Sequence, residues 1–396
     1  MPMTTIKNTC FDRLDQMLQQ VQPLCEPLRL VVGYSGGLDS AVLVKLLVDY
    51  CNRSFQKRRF SLEAVHINHQ LSANADNWQA QCEAVCAEYK LPITSVTVDV
   101  DAQGKGVESA ARDARYQVFQ EVCADDGVLL LAHHLNDQAE TLFIRLMRGS
   151  GPLGLGSMKE LSQYGEMPVL RPLLSESRGD LERFAQSEAL SWVNDESNAD
   201  STYDRNYLRN DVLPLLEDRW SSMLTSVSRS ARLCSEAQSL ADDLAVLDVA
   251  KLRREAGGFG GCLDVNLLAE LSSTRIFNVL RYCLRVQGLP LPSEVVLTRV
   301  LTEIIPASEG ANPLVQWPGG EVRRYDGALY LLFPLADVEN DARRKLSVPL
   351  VNLEPINVGE DNIQGYVLPW GGELFISSNE EGLEKLRSQE GAVLDG

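Results

Sequence analysis

The chain has 396 residues, of which 44% are hydrophobic and 23% are charged, and its formal net charge at pH 7 is −18. This length predicts two or three domains with separate cores, and the composition is that of an ordinary globular protein. Because phosphate contacts depend on lysine and arginine, such an acidic chain is not a basic nucleic-acid-binding module. Both halves of the chain share the deficit of basic residues, so any contact with nucleic acid must come from local patches.

The N-terminal sequence has no basic segment followed by an apolar one, which argues against a secretory signal peptide. The apolar runs are short enough for strands and are interrupted by charges, so no membrane span is expected. The nine cysteines are an odd number, and none belongs to a C-x-x-C pair. We therefore predict a cytoplasmic protein with reduced thiols that serve mainly in packing.

Strand-like and helix-like segments alternate between residues 28 and 215, which predicts an α/β domain with a parallel sheet covered by helices on both faces. The expected strands are 28–35, 60–69, 91–100, 128–132 and 169–174, and the expected helices are 41–51, 77–90, 107–125 and 136–149.

The alternation stops after Pro214. Residues 216–290 are predicted to be mainly helical, and residues 313–333 to form two strands joined by a turn. Two further candidate strands lie in the acidic tail, within 346–358 and 365–377. The expected domains are 1–215, a mainly helical 216–336, and a C-terminal segment 337–396 that is part of a third domain.

The strongest local signal is the segment SGGLDS at residues 35–40, between the first expected strand and helix. Glycine lets the backbone turn tightly and approach a ligand closely, and the start of a helix presents unpaired N–H groups to an anion. Ser35 and Ser40 add hydroxyl groups, and Asp39 could hold a magnesium ion that bridges phosphate oxygens. The alternative is a plain strand-to-helix turn capped by serine and aspartate. Neither the Walker A pattern nor G-x-G-x-x-G is present.

SGGLDS resembles the pyrophosphate-binding loop of the N-type ATP pyrophosphatase, or PP-loop, superfamily, whose members adenylate a substrate with ATP. The resemblance implies a PP-loop ATPase domain at 1–215 that binds ATP and Mg²⁺. The ATP-binding residues would be Ser35, Gly36, Gly37, Leu38, Asp39 and Ser40, with Asp39 also on the metal. The loop is typical of the whole superfamily, so it does not indicate which of its families this chain resembles.

All four histidines lie between residues 66 and 134, and each is at or beside the carboxyl end of an expected strand. Ligands of open α/β sheets bind at that edge, so the clustering favours a site. The alternative is that local backbone groups satisfy these histidines, which is more plausible for His66 and His69 than for His133.

Five segments resemble tRNA(Ile)-lysidine synthetases, in the order of that family and over roughly residues 28–335. They are HINHQL (66–71), ESAARDARY (108–116), AHHLNDQAET with RGSG (132–141 and 148–151), DRNYLRN (204–210), and WPGG with RRY (317–320 and 323–325). Two departures stand out. Asn136 replaces the first acid of the family's H-H-x-D-D pattern, and residues 346–396 contain only two cations, Lys385 and Arg387, where the family has a lysine-rich segment.

This resemblance implies that ATP adenylates C2 of the wobble cytidine of an isoleucine tRNA with a CAU anticodon, and that free L-lysine then displaces AMP. It implies that the second domain binds tRNA or substrate, and it leaves homodimer formation open. The implied catalytic residues are Asp39, Arg112, His133, Asp137 and Glu140, the further ATP contacts are His66 and Asn68, and the tRNA contacts are Arg115, Arg205 and Arg209.

Several of these roles have plain alternatives. Arg112 and Arg115 lie on one helical face, and one of them could be a surface ion pair rather than a phosphate contact. Glu140 could simply stabilise a helix N-terminus. Arg205 and Arg209 are candidates for either RNA or ATP phosphates.

There are three alternative interpretations of the function. A tRNA 2-thiolation enzyme of the same superfamily would carry the C-x-x-C pairs that this chain lacks, and GMP or asparagine synthetase would bring a glutamine-hydrolysing domain. A non-catalytic tRNA-binding module would not need Asp39, His133 and Asp137 together.

Overall fold

The computed structural model describes residues 4–21, 27–53, 59–99, 107–124, 126–255, 261–308 and 310–334. It gives the backbone alone for 4–5, 107–109, 197, 255 and 261 and for three strands at 354–356, 363–367 and 373–377. The chain forms two compact units, residues 1–238 and 239–396. The expected boundaries after residues 215 and 336 stay predictions.

The first unit alternates strands and helices along the chain. Its strands are β1 Leu28–Gly33, β2 Phe60–Asn68, β3 Ile93–Thr97, β4 Gly127–Leu130, β5 Leu161–Tyr164 and β6 Met167–Leu170. Its helices are α1 Thr4–Gln20, α2 Leu38–Cys51, α3 Ala75–Tyr89, α4 Val107–Cys123, α5 Leu135–Met147, α6 Pro152–Leu155, α7 Arg178–Ser187, α8 Asp204–Tyr207 and α9 Leu213–Arg219. A 3₁₀ turn covers Glu196–Ala199, a π-helical turn covers Leu208–Val212, and α10 runs from Met223 to Leu252.

One six-stranded sheet, in the order β3-β2-β1-β4-β6-β5, organises this unit. All neighbouring pairs are parallel except β5 with β6. The predicted parallel α/β fold is therefore confirmed. The fifth expected strand is shorter and shifted, because β6 ends at Leu170 and pairs with β5, which the sequence analysis missed. The polar sequence of β5 does not show the apolar run that marks a buried strand.

Both faces of the sheet are covered. Leu30 and Val32 of β1 belong to the same hydrophobic cluster as residues of α1, α2 and α7. Val31 points to the other face and packs in a second cluster with Tyr116 and Phe119 of α4. Successive strand residues point to opposite faces, so the continuous apolar run of β1 requires a helical layer on each side.

The order of the strands places a crevice between β1 and β4. The chain passes from β1 outward to β2 and β3 and then returns to β4 on the other side of β1. Connections that leave two neighbouring strands in opposite directions open a cleft at their carboxyl ends, where ligands of α/β sheets bind. The segments after β1 and β4 flank this cleft.

The second unit contains more strand than the sequence predicted. Its described elements are β7 Arg253–Glu255, β8 Gly261–Asp264, α11 Val265–Ala269, α12 Ser273–Val286, α13 Glu294–Arg299, a π-helical turn Val300–Ile304, β9 Leu314–Trp317, β10 Gly320–Tyr325 and β11 Ala328–Leu332. They include a five-stranded antiparallel sheet in the order β7-β8-β11-β10-β9. Residues 313–333 thus hold three strands rather than two, and β7 and β8 interrupt the region expected to be helical. Their three and four residues are too few to show a strand period.

Helix α12 packs one of its faces into the hydrophobic core of the second unit. Buried side chains recur on α12 at the spacing of one helical face: Ile276, Val279, Leu280, Cys283 and Leu284. Trp317 joins the same core and donates a hydrogen bond from Nε1 to the carbonyl oxygen of Pro290 at 2.8 Å. Asp248 is buried and pairs with Arg275.

Three short strands in the tail, β12 Glu354–Ile356, β13 Ile363–Val367 and β14 Glu373–Ser377, pair antiparallel in that order. β12 lies within the first expected tail strand, while β13 and β14 both overlap the second. Lys385 and Arg387 lie outside the described residues.

Two expectations from the composition concern the state of the cysteines and the presence of membrane spans. Of the eight cysteines in the described part of the chain, all are free thiols and six are buried. None of the described helices combines the length and the apolar character that crossing a bilayer requires.

Candidate active site

The loop after β1 is organised by its own hydroxyl groups. Ser40 is buried, and its Oγ donates to the carbonyl oxygen of Gly37 at 2.9 Å and lies 3.1 Å from Oγ of Ser35. Gly37 caps α2 without a side-chain hydrogen bond, so the first N–H groups of the helix remain for a ligand. The backbone N–H of Val193 fixes the loop from outside by donating to the carbonyl oxygen of Gly36 at 2.9 Å. The geometry of the loop suits an anion, and the predicted contacts of its residues with ATP stay predictions.

Gly36 is required by both conformation and space. Its φ of +84° lies in the left-handed region that side chains rarely adopt. A Cβ at this position would also lie 2.8 Å from Sγ of Cys82. Gly37 has φ −71°, and a Cβ there would meet only Oγ of Ser35, at 3.5 Å. The two adjacent glycines thus differ sharply in the cost of adding a side chain.

A histidine after β4 connects the two sides of the crevice. Nε2 of His134 lies 3.5 Å from Oδ2 of Asp39 in the first turn of α2, and 3.4 Å from Oδ2 of Asp137 in the first turn of α5. His134 is fully buried and caps α5. Its Nδ1 accepts from the backbone N–H of Asn136 at 3.2 Å, while its own N–H donates to Oδ2 of Asp137 at 3.0 Å.

The hydrogen bond at Nδ1 determines the tautomer of His134. Because Nδ1 accepts from Asn136, the ring is neutral and its proton sits on Nε2, facing the carboxylates of Asp39 and Asp137. Burial lowers the pKa of His134, but the two carboxylates outweigh it and raise the pKa. Burial also opposes ionisation of Asp137, whereas His134, Arg205 and His133 favour it and hold its pKa well below its usual range.

His134 was not among the predicted site residues. The resemblance implied a catalytic role for the preceding His133 instead. The helix begins at Leu135, so His134 becomes the N-cap and turns toward the acids. The signal was present in the spacing, since His134 and Asp137 stand at the N-cap and N3 positions of a capping box.

Two arginines cover the carboxylates of α5. Arg205 donates from Nε to Glu140 at 2.7 Å and from Nη2 to Asp137 at 3.0 Å. Arg209 donates from Nε to Glu140 at 2.6 Å and from Nη2 to Asp137 at 3.1 Å. Glu140 is fully buried and Asp137 is 7% exposed, so these charges need such compensation.

The local backbone explains how both arginines reach the same acids. Arg205 lies on the short helix α8, and Arg209 lies on the π-helical turn that follows it. Residues four apart share one side of a helix, so both guanidinium groups can face α5. The structure therefore places the two arginines that were expected to contact tRNA on the two acids that were expected to be catalytic. Their role in tRNA binding stays a prediction.

The remaining predicted residues are spread around the cleft. Nδ1 of His66 lies 2.9 Å from the carbonyl oxygen of Tyr34, which ties the end of β2 to the phosphate loop. Asn68 is buried and donates to Asp76 at 3.0 Å. These contacts give His66 and Asn68 structural partners, and they leave the predicted ATP contacts as predictions.

His133 and His69 share a different environment. Nδ1 of each ring is buried and has no hydrogen-bond partner among the described residues. Burial lowers the pKa of His133 to about 3, against the attraction of Asp137. Burial, with Arg115 nearby, lowers the pKa of His69 to about 4. Both rings are therefore neutral at physiological pH.

The two arginines of α4 lie at the surface. The guanidinium of Arg112 stacks over the ring of Tyr116 at 4.7 Å, and its Nη2 donates to the hydroxyl oxygen of that tyrosine at 3.4 Å. Arg115 is also exposed, and its charge reaches His69. These positions of Arg112 and Arg115 are compatible with a phosphate contact and with a surface ion pair, so both interpretations stay open.

Asp39 has the features of a ligand for a metal that also binds phosphate. Its Oδ1 is buried and has no hydrogen-bond partner in the described residues. No group of three or more histidine, cysteine or acidic side chains in the described ranges could hold a metal by itself. Mg²⁺ commonly binds through one or two carboxylates together with substrate phosphates, and Asp39 beside the phosphate loop fits that pattern.

A cavity of about 300 Å³ lies beside Glu140. Its walls combine acids, cations, amides and an apolar surface: Asn136, Glu140, Arg178, Asn198, Arg209, Asn210, Leu213, Pro214 and Glu217. The floor contains the buried Glu140 with Arg209, and Leu213 is 3% exposed.

The preformed loop after β1, opposite acids at the topological switch point, defines a nucleotide-binding α/β enzyme. The PP-loop domain family matches residues 7–216, and the family described as the TilS substrate binding domain matches residues 263–330.

Curated relatives narrow this class. The tRNA(Ile)-lysidine synthase of Photorhabdus laumondii is 41% identical over 309 residues, which cover 78% of this chain and 69% of that protein. The enzyme of the same name from Haemophilus influenzae (strain ATCC 51907 / DSM 11121 / KW20 / Rd) is 38% identical over 354 residues, or 89% of this chain and 80% of the relative. The chain belongs to the tRNA(Ile)-lysidine synthase family.

Among solved structures, the U34-tRNA thiolase NcsA from Methanococcus maripaludis with its [4Fe-4S] cluster aligns with a TM-score of 0.48 and 18% identity. The alignment covers 59% of this chain and 80% of the thiolase.

Proposed function

We propose that this chain ligates free lysine to C2 of the wobble cytidine of tRNA(Ile) with a CAU anticodon, with ATP converted to AMP and pyrophosphate. Family membership supports the activity and the tRNA. The single observation that carries the mechanism is the convergence of the phosphate loop, Asp39, His134 and Asp137 at the crevice between β1 and β4.

In the first step, O2 of the cytidine attacks the α-phosphorus of ATP, and pyrophosphate leaves. Positioning and charge neutralisation dominate such a transfer. The backbone at Gly36 and Gly37 and the start of α2 hold the β and γ phosphates, with the hydroxyl groups of Ser35 and Ser40 beside them. Mg²⁺ held at Asp39 would supply Lewis-acid neutralisation of the phosphate charge. Nε2 of His134 faces Oδ2 of Asp39 at 3.5 Å, which is an electrostatic contact.

In the second step, the ε-amino group of lysine attacks C2 of the cytidine, and the C2–O bond to AMP breaks. The ammonium group must lose its proton before it attacks, so a carboxylate or a histidine must lie nearby to accept it. Glu140 lines the cavity, and Asp137 lies under the same two arginines on α5. Arg205 and Arg209 donate hydrogen bonds to both acids and so compensate their buried charges.

Transfer of labelled lysine to a tRNA(Ile) transcript with a CAU anticodon, in the presence of ATP and Mg²⁺, tests this function. A methionine tRNA with the same anticodon and the Asp39→Asn variant serve as controls. We expect incorporation only with the wild-type protein and the isoleucine tRNA. Release of tRNA-dependent pyrophosphate without incorporation would retain adenylation and refute lysine as the second substrate.

The rival activities have less support. A tRNA thiolase that relies on C-x-x-C pairs is not favoured, because the sequence contains none and the curated relatives are lysidine synthases. A homodimer stays a prediction, which sedimentation of the purified protein tests.

A further inference from the structure

We propose that Arg112, Arg145 and Arg171 form a second anion site, which holds a backbone phosphate of the tRNA beside the wobble cytidine. The proposal rests on the function above, because it names the part of the RNA substrate that the site binds. It also locates a basic patch on a chain whose net charge is −18.

Arg171, the residue directly after β6, is a buried cation with unused hydrogen-bonding capacity. It is only 6% exposed. Its Nη1 donates to the carbonyl oxygen of Lys159 at 2.9 Å and to Oγ of Ser162 at 2.8 Å, whereas its Nε is buried without a partner among the described residues. Burial of a charge costs free energy unless a counter-charge compensates it. A bound anion would supply that counter-charge.

Arg145, in the last turn of α5, is anchored in a similar way. Its Nη1 donates to the carbonyl oxygens of Gly154 at 2.7 Å and Ser157 at 3.2 Å. These bonds hold the half-buried guanidinium against α6 and the turn that follows it. A planar guanidinium fixed through one nitrogen keeps further N–H groups in a rigid fork, which suits a phosphate.

Tyr116 of α4 connects the exposed Arg112 with the buried Arg171. Arg112 lies over the ring of Tyr116 at 4.7 Å and donates from Nη2 to its hydroxyl oxygen at 3.4 Å. The same hydroxyl group is a hydrogen-bond partner of Arg171. Burial lowers the pKa of Arg145 and of Arg171, and the charge of Arg112 lowers both further.

The three cations therefore gather without an acid to compensate them. Within the described ranges their guanidinium groups contact carbonyl oxygens, hydroxyl groups and an aromatic ring, and none of them pairs with a carboxylate. Like charges in such a group create a positive potential that attracts an anion.

The cluster and the phosphate loop lie on opposite sides of β4. The loop follows β1, Arg171 follows β6, and β4 lies between these two strands in the sheet. His133 directly follows β4. Burial lowers the pKa of His133 most, and the charges of Arg171, Arg205 and Arg112 lower it further, so the cluster reaches this edge of the crevice. ATP phosphates at the loop and a phosphate at the cluster thus approach the crevice from two sides.

The aromatic surroundings favour an RNA phosphate over a second phosphate of ATP. Tyr164 is 39% exposed and packs on Tyr116 with the ring centroids 4.4 Å apart. One face of the Arg112 guanidinium lies on Tyr116, and the side chain is exposed, so the other face can stack on a base. Unstacked bases of RNA loops are commonly held on arginine planes and aromatic rings.

The salt dependence of tRNA binding tests the charge contacts. Binding of a tRNA(Ile) transcript is measured without ATP over a range of salt concentrations. We expect Arg112→Gln and Arg145→Gln each to reduce the slope of log K against log salt by about 0.7, the value for one phosphate of a single strand, and to weaken binding about fivefold at about 0.1 M salt. Arg183→Gln, which removes an exposed charge of α7, should keep the wild-type slope.

The buried member of the cluster needs a gentler change. Arg171→Lys keeps the positive charge and removes the planar fork, so tRNA binding should weaken while the salt slope stays that of the wild type. The melting temperature shows whether this variant is folded. Wild-type affinity in a folded Arg171→Lys would exclude Arg171 from the site.

A ligated tRNA(Ile) with a single uncharged methylphosphonate tests the contact from the RNA side. The substitution is moved one phosphate at a time along the nucleotides around the wobble cytidine. We expect one position where it weakens wild-type binding about fivefold and has no further effect on Arg112→Gln or Arg145→Gln. Additive losses at every position would overturn the assignment.

Binding of ATP with Mg²⁺ separates the two sources of phosphate. Arg112→Gln and Arg145→Gln should bind ATP as the wild type does. Weaker ATP binding with an unchanged tRNA slope would assign the cluster to ATP and overturn the RNA contact, and no change in either would overturn the site itself. If the cluster binds tRNA but the wild-type protein transfers no lysine, the proposed function fails and the site stands.

Discussion

Nε2 of His134, in the segment after β4, lies 3.5 Å from Oδ2 of Asp39, at the start of the helix after β1. The contact connects the segment after β4 with the segment after β1, which flank the crevice. The imidazole ring is neutral, and its Nδ1 caps α5. The other carboxylate oxygen of Asp39, Oδ1, is buried and has no hydrogen-bond partner among the described residues. A histidine and an aspartate with a buried, unpaired oxygen favour a site for a cation and phosphate. They argue against the alternative that residues 35–40 are a purely structural turn.

Asp39→Asn should lower tRNA-dependent pyrophosphate release by about 100-fold or more, the usual effect of losing one preorganised electrostatic group. The substitution is nearly isosteric, so the melting temperature should change little. Asp49→Asn on the same helix, whose carboxylate pairs with Lys7 and Lys45, removes the same charge away from the loop. Equal activity of the two variants would exclude a catalytic role for Asp39.

Gly36→Ala should destabilise the first unit by about 1–2 kcal/mol from the left-handed backbone alone, and more from the contact with Cys82. Gly37→Ala is the matched control, and its free energy of unfolding should be close to that of the wild type. Urea unfolding followed by tryptophan fluorescence measures both. Adding Cys82→Ala to Gly36→Ala should recover only the part of the loss caused by the contact.

Arg209→Gln should lower the free energy of unfolding by about 3 kcal/mol, because it removes one cation from the buried Glu140. The same variant tests the predicted contact with tRNA. A phosphate contact would reduce the salt dependence of tRNA binding by about one unit of slope. Loss of stability with an unchanged slope would restrict Arg209 to the ion-pair cluster, and Arg183→Gln, at an exposed position, controls for the charge.

Acidification should destabilise the first unit through His133. Its pKa falls to about 3 in the folded protein, against about 6.5 in the unfolded chain, so the unfolded state binds the proton first. The stabilising contribution is present above pH 6.5 and is lost as the pH falls toward 3, with a slope of up to about 1.4 kcal/mol per pH unit. Unfolding of His133→Asn between pH 7 and 4 should show a shallower slope than the wild type. Parallel slopes would show that His133 does not contribute.

The sequence predicted the parts of the fold that follow from strong local patterns. The apolar run of β1 and the SGGLDS loop gave the sheet and the phosphate site, because buried parallel strands and tight glycine turns have distinctive composition. The hairpin partner β5 and the short strands β7 and β8 were missed. β5 and β7 each pair with the next strand along the chain, and β8 also pairs with β11, so sheet context rather than local propensity determines these short strands.

The candidate site was predicted as a set of residues but not as a set of contacts. Asp137, Glu140, Arg205 and Arg209 were all selected, yet nothing in the spacing indicated that the arginines would cover the acids. That arrangement depends on how residues 204–212 pack on α5. The role of His134 as N-cap depends on where α5 begins, and a helix boundary is among the least certain features of a sequence prediction.

The bond from Val193 to Gly36 and the pairs between α5 and residues 205 and 209 have a consequence for synthesis of the chain. While the ribosome is still adding residues 140–200, the nascent domain already contains Glu140 and Asp137 but not the cations that compensate them. Uncompensated carboxylates resist burial, so the helix that carries them should stay loosely docked until about residue 209 has left the exit tunnel. A nascent chain halted before residue 193 also lacks the hydrogen bond from Val193 that fixes the phosphate loop at Gly36. Such a chain should not retain ATP.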